Sequence, residues 1–99
     1  MLYVILGHDA PGTLAARLQL RLVHRDRIKQ LQAQGRLVIA GPRPAIEAAD
    51  PGEAGYFGSL IIAEFDSLQS ARDWAESDPY FKVGVFKSMD VQPFVRALP

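Results

Sequence analysis

The chain has 99 residues, of which 48% are hydrophobic and 22% charged, so it has room for a single domain over residues 1–99, and a multidomain enzyme is excluded. Its 11 basic and 11 acidic residues cancel, so the basic surface typical of a nucleic-acid-binding protein is missing and copies of the chain would repel each other little. It has no cysteine, which excludes disulfides, thiolate nucleophiles and iron–sulfur clusters.

The first third of the chain is predicted to form a strand followed by a long helix. Residues Leu2–Leu6 are apolar and rich in β-forming side chains, which is typical of a buried strand. The helix is predicted over Leu14–Gln34, which is rich in Leu, Arg, Gln and Ala, with Thr13 as its N-cap and Gly35 just beyond its end. Three turn-forming residues separate these two elements: Asp9, Pro11 and Gly12.

A second strand and a long loop are predicted next. Arg36–Ala40 contains a short apolar run, which predicts a strand that ends before Gly41 and Pro42. The following segment, Gly41–Ser59, contains several prolines and glycines and is predicted to be a loop. A connection of this length without regular structure is uncommon in a small domain, and such loops are usually functional or disordered.

The C-terminal part is predicted to form a strand, a helix and another strand. Leu60–Phe65 is the third predicted strand, and Val85–Phe94 alternates well enough to be the fourth. Between them, Asp66 followed three residues later by Gln69 approximates a capping box, which predicts a helix over Ser67–Ser77.

The order βαββαβ predicts a ferredoxin-like α+β fold, in which a four-stranded antiparallel sheet has both helices on one face. In the first strand, Leu2, Val4 and Leu6 alternate with Tyr3 and Ile5, so both faces of the sheet are expected to be buried. The helices can cover only one face. The other is therefore predicted to pack against the sheet of a second copy, which gives a homodimer with a barrel-like core.

His24 is the first candidate for chemistry. A rotation of about 100° per residue places it on one stripe of the long helix, facing the sheet, with four other residues: Arg17, Leu20, Ile28 and Leu31. An imidazole titrates near neutral pH, so His24 could act as a general base or acid. The alternative is a core histidine satisfied by one hydrogen bond.

Three charged residues are candidates to work with His24. Arg17 and Arg21 lie one to two turns before it on nearby faces and could hold a carboxylate or phenolate by charge-assisted hydrogen bonds, although ordinary surface arginines would give the same pattern. Asp78 precedes Pro79 and could cap a short helical turn. A carboxylate can also fix the tautomer of a histidine and stabilise its protonated form, and the sequence leaves both roles open for Asp78.

The other polar and aromatic candidates receive simpler interpretations. His8 and Asp9 end the first strand and are predicted to have ordinary surface roles. Trp74 lies beside alanines on the second helix and is predicted to belong to the core. Three residues at the end of the long loop could line a pocket: Tyr56, Phe57 and Ser59.

Several classes of function have no support in the sequence. It contains no phosphate-binding glycine motif, nucleophile elbow or metal-binding helix motif, and only two histidines, His8 and His24, are available as metal ligands. Residues Met1–Leu6 lack the basic leader of a signal peptide, and no apolar run approaches the roughly 20 residues that cross a bilayer. We therefore expect a cytoplasmic protein with no metal, membrane or nucleic-acid partner.

Seven segments, in order along almost the whole chain, carry a family resemblance: MLYVI, RLVHRDRIKQLQAQGRL, AGPRPA, DPGEAGYFGS, IIAEFDSL, WAESDPY and VQPF. Together they resemble the YciI-like family, also called the YCII-related domain. The resemblance implies a ferredoxin-like dimeric α/β barrel and a site centred on a histidine and an aspartate, which correspond to His24 and Asp78. Four residues in matching segments are weaker candidates for lining the pocket: Arg17, Gly41, Pro42 and Ser59.

The resemblance also implies a type of reaction. The family includes a dehydrochlorinase that acts on a chlorinated hydroxyhydroquinone, and the wider fold group includes muconolactone isomerase; both move protons on small oxygenated rings without a cofactor. We therefore expect a cofactor-independent lyase or isomerase, with His24 as general base or acid and Asp78 orienting it. One alternative is a non-catalytic binding or regulatory dimer whose pocket holds a small molecule. Another is a structural partner whose long loop mediates assembly.

Overall fold

The computed structural model describes residues 1–99 and contains four strands and four α-helices. In chain order these elements are β1 Leu2–Asp9, α1 Leu14–Gln19, α2 Arg21–Ala33, β2 Leu37–Pro44, β3 Tyr56–Glu64, α3 Leu68–Glu76, α4 Pro79–Lys82 and β4 Phe86–Phe94. The predicted order is confirmed, because α1 and α2 together form the first helical unit and α3 and α4 the second.

The four strands form one antiparallel sheet in the order β2-β3-β1-β4. The two strands at its centre, β1 and β3, pair through residues that include Val4 with Ile62 and Leu6 with Leu60. The helices pack on one face of this sheet. The predicted ferredoxin-like α+β fold is therefore confirmed.

The main core lies between the sheet and helices α2 and α3. Its sheet side includes Tyr3, Ile5, Ile61 and Ala63, which are all buried. The helices contribute three buried residues to the same cluster: Leu31, Ala71 and Ala75. Small alanines on α3 let this helix lie close to the sheet, and burying each large apolar side chain contributes on the order of 1.5–3 kcal/mol.

The opposite face of the sheet is only half-buried within one chain. Its centre consists of apolar side chains that alternate with the core residues, including Val4, Leu6, Leu60 and Ile62. None of the four is buried, although each lies beside another apolar side chain across the strand pair. The helices therefore bury one face of the sheet, and the expected burial of the other face by a second copy stays a prediction.

The first predicted helix, Leu14–Gln34, is bent rather than continuous. It divides at Leu20, whose φ of −96° and ψ of 2° interrupt the regular helix. No glycine or proline is present at the bend. Instead, the Tyr80 hydroxyl donates a 3.0 Å hydrogen bond to the carbonyl oxygen of Arg17 one turn earlier, and side chains that bond to helix carbonyls are a known cause of such bends.

The strands are longer than predicted and the loop between β2 and β3 is shorter. β1 continues to Asp9, so that residue does not break the strand as predicted, and β2 runs through Gly41 and Pro42 to Pro44. β3 already begins at Tyr56. The predicted loop Gly41–Ser59 is therefore wrong at both ends. Strand pairing extends over prolines and glycines that, from the sequence alone, suggest a turn.

Local signals at the helix ends were partly correct. Gly35 follows the end of α2 with a φ of +71°, as predicted for a residue beyond a helix C-terminus. The predicted capping box is wrong, because Ser67 is the N-cap of α3 and its hydroxyl accepts a 3.0 Å bond from the Ser70 amide. Thr13 precedes α1 as predicted, but its hydroxyl donates to the carbonyl of Ala10 instead of capping.

No helix of this fold has both the length and the apolar composition needed to cross a membrane. The longest helix, α2, has 13 residues, and it carries charged side chains at several positions.

Close packing between the central strands makes Gly58 a sensitive position. A Cβ atom there would overlap the carbonyl oxygen of Gly7 and the guanidinium of Arg43. We expect Gly58→Ala to lower the free energy of unfolding by about 1–3 kcal/mol, as overpacking usually does. Urea unfolding followed by circular dichroism measures the change.

Gly41→Ala is the matched control, because a Cβ at Gly41 meets no atom within 4 Å. We expect this second variant to change the free energy of unfolding by no more than about 1 kcal/mol. Equal losses in the two variants would contradict the assignment of the effect to close packing at Gly58.

Candidate functional site

A buried histidine and a buried aspartate meet between α2 and α4. The Nδ1 atom of His24 lies 2.8 Å and 3.0 Å from the two carboxylate oxygens of Asp78. Both side chains are less than a tenth exposed. The two residues are 54 positions apart in the sequence, so the fold alone brings them together.

Asp78 is held in place by its position at the start of a helix. Pro79 occupies the first turn of α4, and the Asp78 carboxylate accepts a 2.9 Å hydrogen bond from the amide of Tyr80. Arg27 lies 3.4 Å from the same carboxylate on its other side. The capping role and the contact with His24, which the sequence left as alternatives, are therefore both present.

The surroundings of His24 fix its orientation. The imidazole stacks on the ring of Tyr80, with centroids 4.0 Å apart and planes 12° from parallel, and the edge of Phe86 lies nearby. Because a carboxylate can only accept hydrogen bonds, Nδ1 must carry the hydrogen in the contact with Asp78. The neutral imidazole is thereby assigned the tautomer in which Nε2 has the free lone pair.

Arg17 is buried in a second polar cluster beside the histidine. Its Nη1 atom donates to both carboxylate oxygens of Asp9, at 2.9 Å and 3.1 Å, while Nη2 donates to the Ser59 hydroxyl and the Gly58 carbonyl. Its guanidinium also lies over the ring of Tyr56. Burial lowers the pKa of Arg17 from its usual value, and the charge of Asp9 opposes that shift.

Asp9 is a buried charged residue that the sequence patterns did not indicate. Its predicted surface role is wrong, because its side chain is only 6% exposed and is paired with Arg17. Burial raises the pKa of the Asp9 carboxyl despite the opposing effect of Arg17. A spacing of eight residues between Asp9 and Arg17 was visible, but the extension of β1 that brings them together was not.

These groups surround a cavity of about 270 Å³ that 14 residues line. Its lining includes six of the seven residues predicted from the sequence to be catalytic or ligand-binding: Arg17, Arg21, His24, Gly41, Pro42 and Ser59. The seventh, Asp78, does not line the cavity but contacts the Nδ1 atom of His24. Tyr56 lies in the wall, whereas Phe57 does not, so the expectation for Phe57 is wrong.

Two further cations on the cavity wall were not singled out. Arg25 and Lys29 follow Arg21 at intervals of four residues along α2, and all three line the cavity. The spacing of these residues was the available signal, since positions four apart share a helix face. No aspartate or glutamate is among the lining residues.

The other histidine lies away from this cavity. His8 forms a 2.9 Å contact with Asp90 through Nε2, and Arg43 donates to its Nδ1 atom. The exposed ring of Phe57 packs against both His8 and Arg43. Trp74 packs partly buried against the main core, as predicted, and its outer face is covered by Arg27.

Tyr80 and His24 are two ionisable groups that line the cavity side by side. Tyr80 has a pKa raised by burial, and its hydroxyl already donates to the Arg17 carbonyl. The Nε2 atom of His24 forms no hydrogen bond to another protein group, since both of its hydrogen bonds involve Nδ1. No group of three or more His, Cys, Asp or Glu side chains is placed to hold a metal ion.

The sequence is similar to that of known proteins along almost its whole length. The profile of the YCII-related domain matches residues 1–95. A Haemophilus influenzae protein described as uncharacterized is 52% identical over 94 residues, which cover 95% of this chain and 96% of that protein. Protein YciI of Escherichia coli O6:H1 is 48% identical with the same coverage.

Two solved structures resemble this fold. The 5-chloro-2-hydroxyhydroquinone dehydrochlorinase of Burkholderia phenoliruptrix AC1100, in complex with 2,5-dihydroxybenzoquinone, has a TM-score of 0.85 and 26% identity over 98% of this chain and 96% of that one. Muconolactone isomerase has a TM-score of 0.63 and 16% identity over 97% of this chain and 90% of that one, which supports the fold alone.

The buried charge of Asp9 predicts a particular pH dependence of stability. Its pKa in the folded protein lies above the ordinary 3.8, so the folded state binds this proton more tightly than the unfolded chain does. The group's contribution is therefore full below pH 3.8 and is lost as the pH rises through the folded pKa.

An Asp9→Asn variant lacks this titration. We expect the stability of the wild-type protein relative to Asp9→Asn to fall as the pH rises from about 4 towards neutrality. Urea unfolding of both proteins across this range gives the difference directly. If the stability of the wild-type protein relative to Asp9→Asn instead rises with pH, Arg17 stabilises the carboxylate more than burial destabilises it.

Proposed function

The chain belongs to the YCII-related domain family, and we propose that it is a cofactor-independent enzyme of lyase or isomerase type that acts on a small oxygenated ring compound. The observation that carries this proposal is the orientation of His24, whose Nδ1 atom is bonded to buried Asp78 while the ring lines a cavity. An imidazole held in one tautomer with its other nitrogen at a substrate-sized cavity is suited to general base catalysis.

In this proposal His24 Nε2 removes a proton from a ring carbon. In an elimination, the ring reacts as its diketo tautomer, in which the carbon that loses the proton and the neighbouring carbon that carries chlorine are both saturated. The C–H electron pair then forms a C=C bond, the carbon–chlorine bond breaks and chloride leaves with its electron pair. The imidazolium then releases its proton to water. In an isomerisation, the imidazolium instead returns the proton to another carbon of the same ring. Asp78 stabilises the imidazolium in both cases, because its carboxylate contacts Nδ1 directly.

Ser59 is the group proposed to bind a substrate oxygen. Its hydroxyl accepts a 2.6 Å hydrogen bond from Arg17 and also lines the cavity. Because the oxygen already accepts from a cation, the hydroxyl hydrogen is free to be donated to an oxygen on the ring. That hydrogen bond strengthens as the oxygen gains negative charge during proton removal.

The similarity to the dehydrochlorinase supports a one-ring substrate. That protein acts on 5-chloro-2-hydroxyhydroquinone and was solved with 2,5-dihydroxybenzoquinone, and its fold matches with a TM-score of 0.85. The cavity of about 270 Å³ in this chain is just below the range of about 300–1,000 Å³ for ligand sites. A single substituted ring suits this size better than a nucleotide or a haem.

We propose that the working unit is a homodimer. Val4, Leu6, Leu60 and Ile62 form an apolar patch at the centre of the uncovered sheet face. Packing against the same face of a second copy is the simplest closed arrangement that removes this patch from water. Leu60 also lines the cavity, so a second copy packed on this face would lie close to the cavity.

His24→Asn tests the catalytic proposal. We expect it to lower kcat/KM by about 10²–10⁴-fold, as loss of a general base usually does, without changing the fold seen by circular dichroism. The first assay is chloride release from 5-chloro-2-hydroxyhydroquinone. His8→Asn is the matched control, because His8 also contacts an aspartate but does not line the cavity, and we expect it to keep its activity.

Two outcomes would contradict the catalytic proposal. Turnover that is unchanged in His24→Asn would remove the role of His24. Saturable binding of 2,5-dihydroxybenzoquinone with no product from any tested ring compound would instead indicate a binding or regulatory protein.

Val4→Lys tests the dimer. A lysine at the centre of the apolar face places a charge where the second copy would pack, and we expect sedimentation equilibrium at micromolar concentration to show a shift from dimer to monomer. Leu22→Lys is the control, because Leu22 is 74% exposed on α2. A wild-type protein that is a stable, folded monomer at this concentration would refute the proposal.

A further inference from the structure

The cations around the cavity fall into two groups. Arg17 is paired with Asp9 at 2.9 Å, and Arg27 lies 3.4 Å from Asp78. The charges of these two arginines are therefore balanced by carboxylates. By contrast, no carboxylate lies within 4.0 Å of the side-chain nitrogens of the other three cations near the cavity: Arg21, Arg25 and Lys29.

The three unbalanced cations lie together on one wall. They are spaced at intervals of four residues from the first turn of α2, and all three line the cavity. The cavity has no acidic lining residue, and Asp26, the one acidic residue of α2, forms no ion pair with them. The wall formed by Arg21, Arg25 and Lys29, here called the cationic wall, therefore has an uncompensated positive charge facing a ligand-sized space.

Arg21 is held in position at the inner end of the cationic wall. It is half-buried, and its Nη2 atom donates a 3.3 Å hydrogen bond to the hydroxyl of Tyr56. Tyr56 in turn lies against the guanidinium of Arg17, whose two terminal nitrogens both donate to protein groups. Arg17 is therefore a fixed part of the structure, whereas Arg21 has donors left for a ligand.

From this arrangement we propose that the substrate is an aromatic or alicyclic ring acid, with a carboxylate bound by the cationic wall while the ring faces His24. The inference rests on the proposed function, since it assigns the substrate class of the same site. Arginine binds carboxylates through paired hydrogen bonds, and the adjacent Arg25 and Lys29 would attract the acid from solution. The ligand of the dehydrochlorinase structure, 2,5-dihydroxybenzoquinone, has no carboxylate, so the two proteins would differ in specificity.

The test compares two probes that differ only in the carboxylate. 2,5-Dihydroxybenzoate and hydroquinone share the ring and its two para hydroxyls, and calorimetric titration of the full chain measures the affinity for each. We expect the acid to bind at least about tenfold more tightly. Raising the salt concentration should reduce this preference, because Arg25 and Lys29 are exposed.

A charge-matched pair of double variants assigns the preference to the cationic wall. Arg25→Gln/Lys29→Gln should weaken the preference for the acid, because Arg21 remains, and leave the affinity for hydroquinone unchanged. Arg72→Gln/Lys87→Gln removes the same charge from exposed residues that do not line this cavity, and we expect it to keep the preference. Both variants change exposed positions, so both should fold.

The outcomes separate this inference from the catalytic proposal. Equal affinities for the two probes, binding of neither probe, or equal losses in the two double variants would each overturn the assignment of a ring acid. None of these measurements needs turnover. A preference for the acid that is also present in His24→Asn would support the cationic wall even if no reaction were found.

Discussion

The carboxylate of Asp78 is the group on which the arrangement of the site depends. It caps α4 through the Tyr80 amide, accepts from His24 on α2 and pairs with Arg27 on the same helix. Each contact alone is common, but together they join the end of one helical unit to the middle of the other. Because the carboxylate is buried, loss of any one partner leaves charge without compensation, and this keeps the three groups in a single geometry.

The second buried pair separates structural charge from charge available to a ligand. Asp9 pairs with Arg17, so this arginine supports the wall, and the Ser59 hydroxyl that it contacts is a polar group at the cavity. The balanced pairs therefore make the cavity interior close to neutral, while positive charge remains on the exposed wall of α2.

Short-range patterns in the sequence predicted what depends on short-range physics. Alternation and helical periodicity found every strand and both helical units, and the dipeptide Asp78–Pro79 predicted the start of α4. The periodicity of the first helix also placed Arg17 and His24 on its buried stripe. The family motifs added the association of His24 with Asp78, which no spacing along the chain could show across 54 positions.

The errors arose where tertiary contacts override local preference. Asp9 resembled a surface turn residue because the extension of β1 depends on pairing with β4, and the bend at Leu20 accompanies a hydroxyl from Tyr80, 63 residues from the carbonyl it contacts. These polar contacts also divide the core into a cluster of nine buried residues and a smaller one of three around the site. A 99-residue chain that buries two ion pairs between such clusters gains little from them in stability. The half-buried apolar sheet face is a further source of hydrophobic stabilisation, and covering it with a second copy would offset the cost of the polar groups that the site buries.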